Sequence, residues 1–278
     1  MKKIYILATT AALLALGGCF QKLDQDPDFD YPEQPAPPAY NPRKLALTFE
    51  NEAKDASNYK ILTTQQGPIT YTAGKIGKAY KGGEKTYIII QPTKAKYPGD
   101  ISVQDTIANL GSFTVAFWMK TEQVSKGTGI FSIVNKKKFW SNLDIFLDGN
   151  KPSETEGRFK MHLYNGKKEK WVEKKIANTI GEWVHLAFRY DSKTEKITIH
   201  RNGEEVVSEA APKDFGSLVF ENLGEMVLGT FPFQAEPSLT SGAKAQTWAQ
   251  SFPGELDQFY FYNKALSDEA IKALYNEK

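Results

Sequence analysis

From Arg43 onward the chain is a succession of short segments in which apolar and polar residues alternate, with almost no helical periodicity. Side chains of an extended strand point to opposite faces in turn, so residues two apart share a face. Leu45, Leu47 and Phe49 share one in the first segment. In SFTVAFWMK, Phe113, Val115, Phe117 and Met119 point one way and Thr114, Ala116, Trp118 and Lys120 the other. In EWVHLAFRY the inward set is Val184, Leu186, Phe188 and Tyr190, and Tyr87 to Ile90 is a short apolar run. These are core faces, and Trp118 and Trp183 are assigned to packing. Near the C-terminus, Asp257 alternates with Phe259 and Phe261, opposite Leu256, Gln258, Tyr260 and Tyr262. A carboxylate sharing a face with two phenylalanines must sit at a rim, be protonated, or meet a cation or N–H donors, because burying it unpaired is costly.

Turns and ends punctuate this pattern. Asn165-Gly166 and Asn202-Gly203 are hairpin signals, since a type I′ turn needs positive φ at both central positions. After Asn263, Ser267 predicts an N-cap. Asp268 and Glu269 suit the positive end of a helix dipole, and Ile271 and Leu274 give a short apolar stripe. With many strands and no long helix between them, a parallel βαβ architecture is excluded and a two-sheet antiparallel sandwich is expected.

The N-terminus breaks the pattern. Two lysines precede an almost unbroken apolar run from Ile4 to Leu16, followed by Leu16-Gly17-Gly18-Cys19. The run is shorter than the roughly 18 to 20 residues that cross a bilayer, so 1–18 reads as a signal peptide. Leu16 to Cys19 resembles a bacterial lipobox, which implies cleavage before Cys19, lipidation of its thiol and attachment to a membrane. With the sole cysteine acylated, no disulfide or cysteine-based metal site remains. Residues 19–42 form an acidic tether holding six of the 14 prolines, expected to be extended and solvated. Its acidic residues after the lipidated cysteine resemble surface-export signals of lipoproteins in the Bacteroidetes, which implies an outer membrane lipoprotein facing the cell exterior. An ordinary periplasmic spacer is the alternative. The chain has 35 basic and 33 acidic residues, and losing Lys2 and Lys3 with the signal leaves 33 against 33. That balance gives no support for a nucleic-acid partner.

The remaining stretch, 43–278, forms one large all-β domain. LALTFENEAKDAS, GKIGKAYKGG, SFTVAFWMKT, GEWVHLAFRYDSKTEKITIHRNGEEV, LGTF and FPGELDQFYFYNKALSDEAIKALY follow one another as in the laminin-G-like, concanavalin A-like jelly-roll domains. The resemblance implies a jelly-roll sandwich of two antiparallel sheets with a short C-terminal helix and with the first and last strands adjacent. It also implies binding of glycans or proteins and, in some members, a structural Ca²⁺ where those strands meet. Carried over motif by motif, the Ca²⁺ ligands are Glu50 and Asp257, completed by a backbone carbonyl near Gly82 or Gly83. The usual Asp-Gly or Asp-Asn pair is Glu50-Asn51 here. A carboxylate held by backbone N–H groups or a lysine is the alternative.

Carbohydrate sites on such sandwiches use aromatic rings that stack on sugar faces beside a few polar groups. The aromatic residues lying where periodicity fails are Phe139 and Trp140 after Lys136 to Lys138, Trp171 in a lysine-rich strand, and Phe231, Phe233 and Trp248 around the insertion from Pro232 to Ser251. Trp140, Trp171, Phe233 and Trp248 are the expected carbohydrate contacts, with packing as the competing role for each. Glycoside hydrolases of this fold carry Glu-x-Asp-x-x-Glu or Glu-x-Asp-x-Glu on one strand, and no such stretch is present. Glu50 with Glu52, and Asp144 with Asp148, lack the pattern. A lyase would need a histidine with a tyrosine in a groove, for which His162 and Tyr164 are the candidates. The lysine clusters around 136–138 and 167–175 read as edge protection or as a basic groove for an acidic polysaccharide. The expected function is a non-catalytic, surface-exposed lipoprotein binding glycan. A protein-binding adhesin or structural envelope module comes second, and a polysaccharide lyase or glycoside hydrolase third.

Overall fold

The computed structural model describes residues 40–94, 102–149 and 155–277. The signal peptide, Cys19 and all but the last three residues of the tether lie outside the described residues. No helix among the described residues is long and apolar enough to cross a membrane.

Two antiparallel sheets face each other, with strands numbered along the chain. In spatial order the first holds β13 (Glu204–Ala210), β12 (Lys196–Arg201), β11 (Val184–Asp191), β6 (Phe113–Lys120), β16 (Glu255–Tyr262), β4 (Lys78–Lys81) and β3 (Thr70–Ala73), and β1 (Arg43–Leu47) also pairs with β16. The second holds β10 (Glu169–Ile176), β9 (Gly157–Tyr164), β8 (Leu143–Leu147), β7 (Gly127–Asn135), β14 (Leu223–Leu228), β5 (Tyr87–Gln91) and β2 (Leu62–Gln66). A short β15 (Ala249–Ser251) lies parallel to the start of β7, the one departure from antiparallel pairing among the described strands.

The alternation read from the sequence decides which side chains fill the sandwich. Phe113, Val115, Phe117 and Met119 of β6 and Val184, Leu186, Phe188 and Tyr190 of β11 all enter one core with Leu45, Leu47 and Phe49. A ladder of rings crosses it. Phe159 lies 6.0 Å from Phe188, which lies 6.1 Å from Phe117; Phe117 lies 5.7 Å from Phe259, and Phe259 lies 5.0 Å from Phe131. The outer face of the first sheet is covered as well. Helix α2 (Asp268–Tyr275) begins at Ser267, whose hydroxyl accepts from the Ala270 N–H, and it buries Ile271 and Leu274 against Ala46, Ala116, Ala187, Tyr260 and Tyr262. Trp118 is therefore buried, with its ring 5.5 Å from Tyr275. The other helix, α1 (Val103–Ala108), is short and capped by Ser102.

Asn202 and Gly203 both take positive φ and join β12 to β13 in the expected two-residue turn. The Asn165-Gly166 hairpin differs. Its loop is longer, only Gly166 has positive φ, and the Asn165 Oδ1 accepts from the Lys167 and Lys168 N–H groups. The asparagine side chain supplies the turn that backbone geometry was expected to make. β10 is the edge strand of its sheet, and its Lys170 and Lys174 both reach Glu209 of β13 at 2.8 Å, clasping the edges of the two sheets.

The closing strand holds the main departure from simple alternation. β4 pairs with Glu255 and Leu256, β1 pairs with Phe259 to Tyr262, and both lie along the same edge of β16. In the gap between them Gln258 takes φ 46°, and the ladder to β6 slips between Asp257 and Tyr260. This bulge reverses the parity of the strand. Leu256 and Phe259 both enter the core, so Asp257 leaves the face of the phenylalanines and turns toward the hairpin joining β3 to β4.

Candidate functional site

Three adjacent strands of the second sheet carry side chains in register on the face away from the core. Phe146 of β8 pairs with Lys160 of β9, and Lys160 pairs with Glu173 of β10; two positions along, Asp144, His162 and Trp171 form the next row. Phe159, Met161 and Leu163 alternate with these residues on β9 and fill the core. Among the described residues no α-helix covers this face as α2 covers the other; Phe146, Asp144 and His162 are nonetheless buried, and Lys160, Trp171 and Glu173 remain accessible.

A second chain segment walls this face. After β14 the chain makes a 3-10 turn at Pro232–Gln234 and returns through 235–248 to β15. Thr240 and Ser241 bond to the carbonyls of Lys138 and Lys136, and the Gln234 side chain holds both the Gln246 N–H and the Ala249 carbonyl. Trp248 is thereby set against Gly127, whose N–H donates to the Trp248 carbonyl at 2.9 Å. A Cβ at Gly127 would lie 2.8 Å from the indole, so this close approach requires glycine.

The resulting cavity has a volume of about 680 Å³ and is lined by Trp140, Trp171, Trp248 and Phe146 together with Lys126, Asp148, Lys160 and Glu173. The size lies within the usual range of small-molecule sites. Trp140 stacks on Phe146 with an interplanar angle of 9° and meets Trp171 edge-on at 4.9 Å and 83°. Two indoles at right angles make a corner, and Trp248, 41% exposed, is the third ring, 6.0 Å from Trp140. The structure thus brings Trp140, Trp171 and Trp248 around one cavity. Phe233 is a correction to the expected contact set. It is only 1% exposed and lies behind the cavity, stacked at 5.0 Å on Phe231, because the 3-10 turn directs its ring into the sandwich flank.

The polar groups are paired with one another. The Lys160 ammonium is 2.6 Å from Asp148 and 3.2 Å from Glu173; Arg158 lies 3.7 Å from Asp148 and donates to Glu173. The hydrogen bond from Arg158 holds the Glu173 carboxyl below the usual carboxylate range. Sequence reasoning named Asp148 only to set it aside, and missed Lys160 and Glu173. The available signal was opposite charges at outward positions of consecutive strands, but its use requires the β8–β9–β10 register. His162 is buried under Trp171 at a ring distance of 4.6 Å, with Nε2 3.2 Å from Glu169, and Tyr164 donates to the Gly166 carbonyl. Asp144 is also buried, accepting from the Ser132 hydroxyl and the Ser141 N–H.

Glu50 and Asp257 converge from opposite ends of the domain on the Gly74–Gly77 turn. Asp257 is fully buried; its Oδ2 accepts from the Ile76 N–H at 2.8 Å and its Oδ1 from the Gln258 N–H at 2.7 Å. Glu50 accepts from the Lys78 N–H through both oxygens. A Cβ at Gly74 would lie 2.6 Å from the Asp257 carboxylate, and one at Gly77 would overlap that of Glu50. Burial raises Asp257 to about 6 against the opposing backbone hydrogen bonds, and the negative charge of Glu50 adds to the rise. The neighbouring glycines are thus Gly74 and Gly77, while Gly82 donates to the Gly254 carbonyl instead. One group among the described residues is near enough to share an ion, His200, Glu205 and Asp268, and it already contains a cation: Arg189 is 2.7 Å from Asp268 and 3.6 Å from Glu205.

Comparisons with known proteins follow this geometry. No curated protein matches the chain. The binding domain of paraclostridial mosquitocidal protein 1 superposes with a TM-score of 0.60 at 14% identity, over 84% of this chain and 51% of that one. The binding domain of botulinum neurotoxin DC, in complex with SialylT, gives 0.59 at 16% identity over 85% and 51%. The same toxin's binding domain in complex with rat synaptotagmin II gives 0.57 at 16% over 84% and 51%. The chain spans about half the length of these toxin chains, and at such identities the likeness is one of fold. A family model, Laminin_G_3, described as the concanavalin A-like lectin/glucanases superfamily, matches residues 98–272, well over half of the chain. The two-sheet jelly roll built above is the fold of that family, and the chain belongs to the concanavalin A-like lectin/glucanases superfamily.

Proposed function

We propose that the protein is a non-catalytic lipoprotein of the cell envelope that binds glycan in the cavity walled by Trp140, Trp171 and Trp248. The carrying observation is the combination of three indoles at differing angles with paired Lys160, Asp148 and Glu173 beside them. Indole faces take the apolar side of a pyranose, and the ionised groups take its hydroxyls. Among the structural neighbours, a botulinum type C structure concerns interaction with two ganglioside molecules, which are glycolipids; it bears on the class of ligand and not on its charge. A glycan panel tests the reading. Binding lost on Trp248→Ala supports it, and binding unaffected by that change sinks it.

The Arg158 hydrogen bond holds Glu173 below the usual carboxylate range, which makes it unsuited as the general acid of a glycoside hydrolase, and the sequence has no paired-carboxylate strand motif to supply one. Release of reducing ends or unsaturated sugars from the same panel would overturn the non-catalytic reading.

Attachment through a lipid on Cys19, with the domain outside the outer membrane, belongs to the same proposal and rests on the sequence around Cys19. Metabolic labelling with a radioactive fatty acid is expected to mark the protein and to fail for Cys19→Ala; protease added to intact cells should then remove the domain. Equal labelling of both proteins, or protection from the protease, would count against lipidation or surface exposure respectively.

A Ca²⁺ held by Glu50 and Asp257 is the remaining part. Its support is two carboxylates converging where the first and last strands meet, with like charge that a divalent cation would offset. Ca²⁺ at millimolar concentration is expected to raise the melting temperature by several degrees, about 1–2 kcal/mol for a domain of this size. An unchanged transition in chelator would leave backbone N–H groups, those of Lys75, Ile76 and Gln258 at Asp257 and of Lys78 at Glu50, to hold these carboxylates.

A further inference from the structure

We infer that the glycan taken by the tryptophan cavity is uncharged, a neutral pyranose chain, in contrast to an acidic polysaccharide. The inference rests on the glycan-binding reading above and deepens it. The sequence left a basic groove open, because lysines precede Trp140 and flank Trp171. Tertiary structure turns several of those lysines to other partners. Lys170 and Lys174 are committed to Glu209 at the sandwich edge, Lys168 donates to the Lys213 carbonyl, and Lys138 lies over the Tyr164 ring. Among the described residues the cavity is lined by two lysines, Lys126 and Lys160, and two carboxylates, Asp148 and Glu173, so the lining itself presents no excess of cations.

The arrangement of the charges matters as much as their sum. The Lys160 ammonium has three donors, and Asp148 at 2.6 Å and Glu173 at 3.2 Å occupy two of them. Arg158 lies behind and ties the same two carboxylates together. A ligand carboxylate or sulfate reaching Lys160 would have to displace one of these partners and would then lie beside it, like charge against like charge in a partly desolvated cleft. Hydroxyl groups meet no such conflict. Glu173 Oε1 already accepts twice from Arg158, but Oε2 has acceptor capacity beyond Lys160 and Lys160 has a third donor, so vicinal hydroxyls can give and take hydrogen bonds there without breaking the network. The indole corner supplies the apolar contact that a pyranose ring needs, whatever its charge.

The experiment is calorimetric titration of the full-length chain with two sets of probes, at about 0.05 M and about 0.5 M salt. One set is neutral gluco-, galacto- and manno-oligosaccharides; the other is polygalacturonate, alginate and heparin fragments. Wild type, Trp248→Ala and Glu173→Gln are compared. A neutral probe should bind, lose at least about tenfold in affinity on Trp248→Ala, and change by less than about twofold with salt. Glu173→Gln, which leaves Arg158 and Lys160 undercompensated at a half-exposed position, should strengthen binding of the acidic polymers by about tenfold. Acidic probes that bind the wild type with steep salt dependence and are lost on Trp248→Ala would overturn the neutral assignment while leaving the cavity as the binding site. Failure of Glu173→Gln to admit acidic probes would overturn the charge argument. Absence of any Trp248-dependent binding in either set would overturn both the inference and the reading beneath it.

Discussion

Trp248→Ala is expected to lower glycan affinity by about 30-fold or more, the loss of roughly 2 kcal/mol that a central aromatic anchor typically carries. The melting temperature should meanwhile fall by only about 2–4 °C. The two effects separate because Trp248 is 41% exposed and reaches the cavity at the end of the 235–248 segment, whereas its backbone is fixed to Gly127 whatever the side chain. Trp140→Ala would confound them. That indole is packed by Phe139, Phe146, Trp171, Phe231, Phe233 and Trp248, so its removal also loosens the cluster that shapes the cavity. Calorimetry beside thermal melting distinguishes the two, and an unchanged affinity for Trp248→Ala would sink the site.

Phe259→Ala should destabilise the domain by about 3–5 kcal/mol, measured by urea unfolding. Phe259 is fully buried on the closing strand, with Phe117 at 5.7 Å within its own sheet and Phe131 at 5.0 Å across the sandwich. Deleting it leaves a cavity where the ring ladder passes between sheets, and β16 cannot collapse to fill it because β1, β4 and β6 all pair with that strand. Against a typical total of about 5–15 kcal/mol, such a loss is a large fraction of stability. A loss under about 1 kcal/mol would mean that the two sheets are not held together at this point.

The two predictions probe different degrees of legibility. That Phe117 and Phe188 are core follows from alternation alone, whereas Phe259 joins Leu256 in the core only because the bulge at Gln258 shifts the parity of their strand. That Trp140, Trp171 and Trp248 meet was only an expectation drawn from where periodicity fails. Phe233 carried the same local signal as Trp248 and yet is buried, since the two are separated by the turn and the return segment that decide which ring faces out. Asp148, Lys160 and Glu173 lay in stretches that read as ordinary charged strand positions, and they became a site only when β8, β9 and β10 were in register.

Local rules with short range were enough for much of the molecule. A period of two assigns Phe113, Val115, Phe117 and Met119 to the core, a positive φ at two positions selects Asn202-Gly203 as a turn, and the Ser267 hydroxyl starts the last helix. Each of these depends on neighbours within a few residues, so the sequence by itself determined them. What only the tertiary structure decided depends on groups distant along the chain. The bulge at Gln258, between the stretches of β16 that pair with β4 and with β1, turns Asp257 from the phenylalanine face to the Gly74–Gly77 turn, where it stays buried. The indole corner exists because strands from 127 to 176 and a segment ending at Trp248 are folded onto one face. The ion pairs that join Arg158 and Lys160 to Asp148 and Glu173 run between strands, and no window of sequence contains them.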